Sequence, residues 1–149
     1  MKLLRKTKDS YAFHLATGEK DLLLQLLHLY PLIPAAYQRV SKGDKDESKQ
    51  RLLDEALMET RIENKRQLQK VLSDPIRLAR DGESWLLRVS EGELEWLLQI
   101  FNEIRVGSWI LLGSPESAVA ALTVANAPHF WTLEMADYFQ SRILEALEG

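Results

Sequence analysis

The chain is 149 residues long; 46% of its residues are hydrophobic, 28% are charged and none is cysteine. This length predicts one domain spanning residues 1–149, with enough chain to build one sizeable hydrophobic core. The composition is typical of a globular protein and excludes wholesale disorder. The absence of cysteine excludes a disulfide framework, a thiolate metal site and a cysteine nucleophile.

Two features argue against secretion or membrane insertion. The leucines near the amino terminus are followed at once by Arg5 and Lys6, so no apolar signal segment forms there. The richest apolar run, residues 22–30, is interrupted by Gln25 and His28 and is too short to cross a bilayer. We therefore expect a cytoplasmic protein that does not associate with membranes.

The small net charge of −3 conceals two oppositely charged parts. Residues 1–80 contain 16 Lys/Arg and 11 Asp/Glu, a net charge of +5, whereas residues 81–149 contain 3 and 11, a net charge of −8. If the two parts fold together, they attract each other internally. The alternative is a bipolar surface that selects an oppositely charged partner, and the sequence leaves both interpretations open.

The amino-terminal residues predict a β-hairpin. Three large apolar side chains in Tyr11–Leu15 alternate with smaller or polar ones, which is the period of a strand. Residues 2–6 and 11–16 form the two strands, and residues 8–10 supply the turn. Because two strands alone are marginally stable, we expect a third, and residues 84–89 are the best candidate.

Helical spacing follows the hairpin. Thr17 is predicted to cap a helix that begins near Glu19 and that Pro31 ends. A shorter helix is predicted to open at Pro34, and residues 41–46 form a polar loop. The apolar residues of the first helix recur three or four positions apart: Leu22, Leu23, Leu26, Leu27 and Tyr30.

A long second helix is predicted over residues 47–73, between that loop and Pro75. Acidic residues near its start and basic residues near its end suit the helix dipole. Its apolar stripe is narrow and is interrupted by a polar stretch over residues 59–64. The stripe consists of Leu53, Leu57, Leu68 and Leu72.

The third long helix has the clearest start, because Ser90 and Glu93 form a capping box. Gly113 fits the left-handed position that closes a helix. A small alanine-rich helix follows from residue 114 to about residue 125, before Pro128. The apolar stripe of the long helix is Leu94, Leu97, Leu98, Phe101, Ile104 and Leu111.

A last helix over residues 129–147 carries Leu133, Ala136, Phe139, Ile143 and Leu147 at helical spacing. Together these elements predict an α+β domain that is mainly helical and has a small antiparallel β-sheet. Helices 91–112 and 129–147 are expected to form the centre of the core, and helix 47–73 is expected to cross them.

No catalytic or metal-binding constellation is recognisable. The histidines His14, His28 and His129 are scattered, and no pair has the spacing of a helical zinc site. There is no glycine-rich phosphate loop and no Gly-x-Ser-x-Gly elbow. The prediction is a protein that is not an enzyme, with no cofactor, no catalytic residue and no metal ligand.

One face of the third helix stands out. Asn102, Arg105 and Trp109 fall at i, i+3 and i+7 and so share one side, next to the apolar stripe. A guanidinium there needs acceptors. One interpretation is a structural salt bridge to Glu55, Glu59 or Glu63 of the second helix; the other is an anchor for an anionic ligand or for a partner's carboxylate.

Nucleic-acid binding is a weaker alternative. Basic residues cluster near the amino end and again at Arg61, Lys65 and Arg66, and phosphate contacts need such charges. The helix also carries Glu59 and Glu63 among them, and no segment has the pattern of a basic recognition helix. A solvated, salt-bridged helix is the preferred interpretation.

The run Asn102-Glu103-Ile104-Arg105-Val106 resembles the Asn-acid-aliphatic-Arg-aliphatic motif of an uncharacterised bacterial family catalogued as a domain of unknown function. The last helix, over residues 137–147, is similar to the closing helix of that family, and the leading hairpin with its leucine-rich helix is similar in topology. The resemblance implies no known activity. Members often neighbour an adaptor of ATP-dependent proteolysis, and some carry a regulator label, which points toward interaction.

These observations favour a non-enzymatic protein-interaction or regulatory module, with a protein as its partner. The alternatives are a small anionic-ligand binder or unrecognised enzyme that uses Arg105, and a nucleic-acid-associated regulator. Asn102, Arg105 and Trp109 are the candidate binding residues.

Overall fold

The computed structural model describes residues 1–32 and 47–149. Those residues form a mainly helical α+β fold with a four-stranded antiparallel sheet. The strands are β1 (Lys2–Lys6), β2 (Ser10–Leu15), β3 (Leu78–Asp81) and β4 (Ser84–Ser90). The helices are α1 (Thr17–His28), α2 (Glu47–Ser73), α3 (Glu91–Leu111), α4 (Ala118–Ala121) and α5 (Ala127–Glu148). The predicted helix from Pro34 and the predicted loop over residues 41–46 lie outside the described residues.

The sheet confirms the hairpin and the third strand and adds a fourth. Its strand order is β1-β2-β4-β3, and all neighbours are antiparallel. Phe13 lies opposite Leu3 on one side and Leu87 on the other, so these side chains share the face that contributes to the core. Ala12 lies between Arg5 and Arg88 on the opposite face.

Helices α3 and α5 pack together at the centre of the core, as predicted. The rings of Phe101 and Phe139 stack with their centroids 5.6 Å apart. Ile100 is buried although the predicted stripe omits it, whereas Leu111 is exposed although the stripe includes it. Side chains from the sheet, α1 and the second half of α2 complete the same cluster.

Helix α1 begins two residues earlier than predicted, and its cap differs. Ala16 is the N-cap residue, and its amide donates to the Glu19 carboxylate at 3.1 Å. The Thr17 hydroxyl, predicted to cap the helix, instead donates to the Glu83 carbonyl at 2.6 Å. Thr17 therefore ties the start of α1 to the turn before β4, a tertiary contact that local sequence does not reveal.

Helix α2 has the predicted bounds, but only its second half joins the core. Leu68 is 2% exposed, whereas Leu53 is 57% exposed, so the part of the predicted stripe that precedes the polar stretch is not buried in the core. The Lys65 ammonium donates to the carbonyls of Leu27 and His28 at 3.3 and 2.9 Å. It thereby satisfies acceptors at the end of α1, and burial lowers the pKa of Lys65.

The capping box of α3 is confirmed. The Ser90 hydroxyl accepts from the Glu93 amide at 3.1 Å, and the Glu93 carboxylate accepts from the Ser90 amide at 3.0 Å. The same carboxylate contacts the Arg77 guanidinium. Burial alone would raise the pKa of Glu93, but the bonds from Ser90 and Arg77 outweigh burial and lower it. At the other end of α3, Gly113 has φ +95°, the left-handed conformation predicted for it.

Replacing Glu93 by glutamine is expected to reduce the loss of folding stability that occurs at acidic pH. Because the folded pKa of Glu93 lies below its ordinary value of 4.5, the unfolded chain binds more protons in the interval between the two values, and stability falls as the pH falls through it. Urea unfolding at pH 6 and pH 3.5, above and below the ordinary pKa of 4.5, measures the loss. It should be larger in the natural chain than in E93Q, whereas Glu95→Gln, on the same helix turn, should keep the natural profile. Equal acid losses in all three proteins would contradict the assignment.

The carboxy-terminal elements differ at their boundaries. The predicted alanine-rich helix is reduced to the four residues of α4, capped by the Ser117 hydroxyl. Helix α5 begins at Ala127 rather than at residue 129, because Pro128 is tolerated in a first turn, where its missing N–H has no helical partner. Among residues 1–32 and 47–149, no helix combines the length and the apolar character needed to span a bilayer.

Candidate functional site

The three candidate binding residues lie on one side of α3, as predicted. The Arg105 guanidinium donates to the Asn102 side-chain oxygen at 3.0 Å, and Gln140 of α5 donates to the same oxygen at 3.4 Å. The Trp109 indole donates to the Pro115 carbonyl at 2.9 Å. Asn102 therefore orients Arg105, while Trp109 holds the segment that follows α3.

A groove of about 370 Å³ runs between α3, the segment around residue 115, α4 and α5. Arg105 and Trp109 line it, whereas Asn102 does not. We call it the α3–α5 groove. Its full lining is Arg105, Val106, Trp109, Pro115, Glu116, Ala118, Leu133, Glu134 and Asp137.

The α3–α5 groove combines an apolar floor with an excess of negative charge. Val106 and Trp109 remain 38% and 40% exposed. Three carboxylates face one guanidinium, and none of these four groups has an ion-pair partner within 4.0 Å in the described part of the chain. The Arg105 Nε–H group is buried and donates to no acceptor among the described residues. The groove thus presents unneutralised charge of both signs, with acid predominating.

The predicted salt bridge between Arg105 and the second helix is not formed. Of the three candidate partners, Glu63 contacts Arg66 on its own helix at 2.7 Å. The salt bridge that joins α2 to α3 has its cation on α2 and its acid on α3: the Arg61 Nε atom lies 3.8 Å from the Glu103 Oε2 atom. Residues two positions apart on a helix point about 200° apart, so packing α2 against Glu103 leaves Arg105 on the far side.

A polar cluster accompanies that bridge and was not predicted. Asn64 donates to the Tyr30 hydroxyl at 3.0 Å and accepts from the Trp96 indole at 3.0 Å. Arg61 is only 5% exposed. Burial raises the pKa of Tyr30, and the Glu103 carboxylate acts in the same direction. These contacts dock α2 on α1 and α3 through Arg61 and Asn64, whereas the other four residues of the polar stretch over 59–64 are exposed.

The basic residues proposed for nucleic-acid contact are divided between two places. Arg61 is buried, the Lys65 ammonium donates to the carbonyl of His28 at the end of α1, and Arg66 pairs with Glu63. These three residues therefore do not form a free basic patch on α2. Arg5 of the amino-terminal cluster, in contrast, stands on the outer face of the sheet, where the structure also places Arg88. Within the described ranges, no group of three or more His, Asp or Glu side chains is arranged to hold a metal ion.

Sequence reasoning missed the acidic lining of the groove. Glu134 and Asp137 are spaced i, i+3 on α5, which places them on one exposed side, and that spacing is visible in the sequence. Glu116 lies between two helices, where only the folded chain brings it to the same groove.

Comparisons with protein families, with curated proteins and with solved structures found no match for this chain.

Proposed function

We propose that the protein is a non-enzymatic interaction module, and that its α3–α5 groove binds a partner-protein segment carrying a basic residue beside an apolar one. The observation that carries this proposal is the coincidence of exposed Trp109 with three unpaired carboxylates in one groove. Aromatic side chains at the centre of an interface contribute much of the binding energy. Charges at the rim select the partner and accelerate encounter.

Each part of the groove has a counterpart in such a segment. The floor formed by Val106, Trp109 and Leu133 suits an apolar side chain. The carboxylates of Glu134 and Asp137 suit a lysine or arginine next to it. The Arg105 guanidinium, already held by Asn102, retains donors for a main-chain carbonyl of the bound segment. The charge of −8 on residues 81–149 adds long-range attraction for a basic partner.

The second candidate function is binding of a small anion by Arg105. It is supported by the buried Arg105 Nε atom, which has no hydrogen-bond partner in residues 1–32 and 47–149. The surrounding carboxylates oppose it, because they repel an anion at the same place. Its test is a thermal-shift measurement with citrate, sulfate and phosphate: stabilisation that disappears in Arg105→Lys supports anion binding, and no shift removes it.

Selection of short random peptides from a displayed library tests the main proposal. We expect enriched peptides to carry Lys or Arg next to Leu, Phe or Trp. Trp109→Ala should weaken a synthetic enriched peptide by about tenfold or more, and Glu134→Gln together with Asp137→Asn should weaken it by several-fold in a salt-dependent manner. Isothermal titration provides the dissociation constants.

Two matched controls locate the effect. Trp131, which is 60% exposed on the same helix as Glu134, lies in a different groove beside α1, so Trp131→Ala should leave peptide binding unchanged. Glu95→Gln removes an exposed carboxylate of α3 outside the groove and should also have no effect. Selection without basic enrichment, or loss of binding in Trp131→Ala but not in Trp109→Ala, would refute the assignment.

A further inference from the structure

A second cleft lies on the outer face of the sheet, away from the α3–α5 groove. It encloses about 380 Å³ and has polar and apolar walls, a size within the range of small-molecule sites. We call it the sheet cleft. It is lined by Leu4, Arg5, Thr7, Ser10, Ala12, Asp81, Leu86 and Arg88.

Strand register builds the sheet cleft from three adjacent strands. Arg5 of β1 lies opposite Ala12 of β2, and Ala12 lies opposite Arg88 of β4. Directly opposed residues on neighbouring strands share a face of the sheet. With strands about 4.8 Å apart, the two arginine Cα atoms are about 10 Å apart across the alanine. Two long cations therefore flank the small side chain of Ala12, and Leu4 and Leu86 supply further apolar lining.

Neither guanidinium of the sheet cleft is neutralised. In the described residues, Arg5 and Arg88 have no carboxylate within 4.0 Å, and Arg88 makes only a long contact of 3.5 Å to the Ile76 carbonyl. Four other described arginines do contact an acid, as Arg77 contacts Glu93; they are Arg61, Arg66, Arg77 and Arg142. Two unpaired cations on one face, with Cα atoms about 10 Å apart, favour a divalent anion between them.

We propose that the sheet cleft binds a small phosphate monoester, with the phosphate between Arg5 and Arg88. A phosphate monoester carries a charge of about −1.5 to −2 at neutral pH and three acceptor oxygens, which matches two guanidiniums. The Thr7 and Ser10 hydroxyls and the Asp81 carboxylate lie in the same cleft and suit hydroxyl groups on the carbon skeleton of the ester.

A long polyanion fits this face less well than a small ester. Single-stranded nucleic acid is held by aromatic side chains on which bases stack, and the sheet cleft contains none. The Asp81 carboxylate in the cleft and the chain's net charge of −3 also oppose a polyanion. The proposal is independent of the interaction proposed for the α3–α5 groove, because the two sites share no residue.

Titration with ribose 5-phosphate, followed in amide proton–nitrogen correlation spectra, tests the proposal. We expect saturable shifts at Ala12 and Arg88, and affinity that falls as the pH drops below about 6 because the ester loses a charge. Arg5→Gln and Arg88→Gln should each weaken binding by about tenfold. Arg66→Gln, which removes an exposed cation of α2, should not.

Three results of this titration would overturn the assignment. These are absent or non-saturable shifts at Ala12 and Arg88, equal binding of unphosphorylated ribose, and equal affinity in Arg5→Gln and the natural chain. An oligodeoxynucleotide without terminal phosphates provides the remaining comparison. If it binds more tightly than ribose 5-phosphate, with a steep salt dependence, the face is a polyanion site and the small-ester assignment is wrong.

Discussion

Replacing Phe139 by alanine is expected to lower the free energy of unfolding by about 3–5 kcal/mol, a large part of the 5–15 kcal/mol typical of a natural domain. Phe139 is 1% exposed and stacks on Phe101 between the two helices that pack most extensively, α3 and α5. The alanine side chain removes the ring contacts and leaves a cavity. Rigid helices on both sides limit how far the core can collapse into it.

Chemical denaturation measures this loss. Phe139→Leu, which keeps most of the apolar volume, should cost less than half as much as Phe139→Ala. Leu144→Ala serves as the control, because Leu144 lies on α5 but is 39% exposed. If Phe139→Ala were no more harmful than Leu144→Ala, the α3–α5 contact would not be the centre of the core.

The sequence predicts those elements whose cause is local. Ser90 and Glu93 specify the start of α3 through bonds between residues three apart, and the alternation around Phe13 specifies β2. Strand β3 was missed because its four residues include one large apolar side chain, Leu78. The two-residue turn that begins with Gly82, at φ +64°, is a hairpin signal that would have revealed it.

The elements that depend on tertiary placement were predicted less well. Arg61 occupies the apolar side of α2, four residues after Leu57 and seven before Leu68, so helical periodicity indicates its burial. Helical periodicity does not predict which acid pairs with Arg61, because Glu103 approaches Arg61 only once α2 has docked on α3. For the same reason, the sequence could place Arg105 beside Asn102 and Trp109 but could not identify the carboxylates around it.

The bridges across the two halves give the charge asymmetry a structural role. Arg61–Glu103 and Arg77–Glu93 each join a cation from residues 1–80 to an acid from residues 81–149. Some of the opposite charges of the two parts therefore pair with each other within the fold. The remainder includes the charged residues of the acidic α3–α5 groove and of the basic sheet cleft.

Replacing Glu103 by leucine is expected to destabilise the protein by about 3 kcal/mol, because it leaves the Arg61 guanidinium without its counter-charge. Arg61 is 5% exposed, and a guanidinium does not deprotonate in proteins. Without Glu103 it would therefore remain a buried, unpaired charge. Arg61→Met should cost only about 1 kcal/mol: one Glu103 oxygen is buried, but the side chain is 32% exposed, so the carboxylate can turn toward water once Arg61 is gone.

The double variant Arg61→Met/Glu103→Leu should recover most of the loss. Among the described residues, Arg61 Nε and the nearer Glu103 oxygen are buried and make no hydrogen bond, and an ion pair with few supporting hydrogen bonds barely offsets its desolvation. A double-mutant cycle from urea unfolding gives the coupling energy. Two results would contradict this account: a larger loss of stability in Arg61→Met than in Glu103→Leu, or a double variant that is the least stable of the three. Either result would mean that Arg61 stabilises the docking of α2 by more than its charge pairing with Glu103.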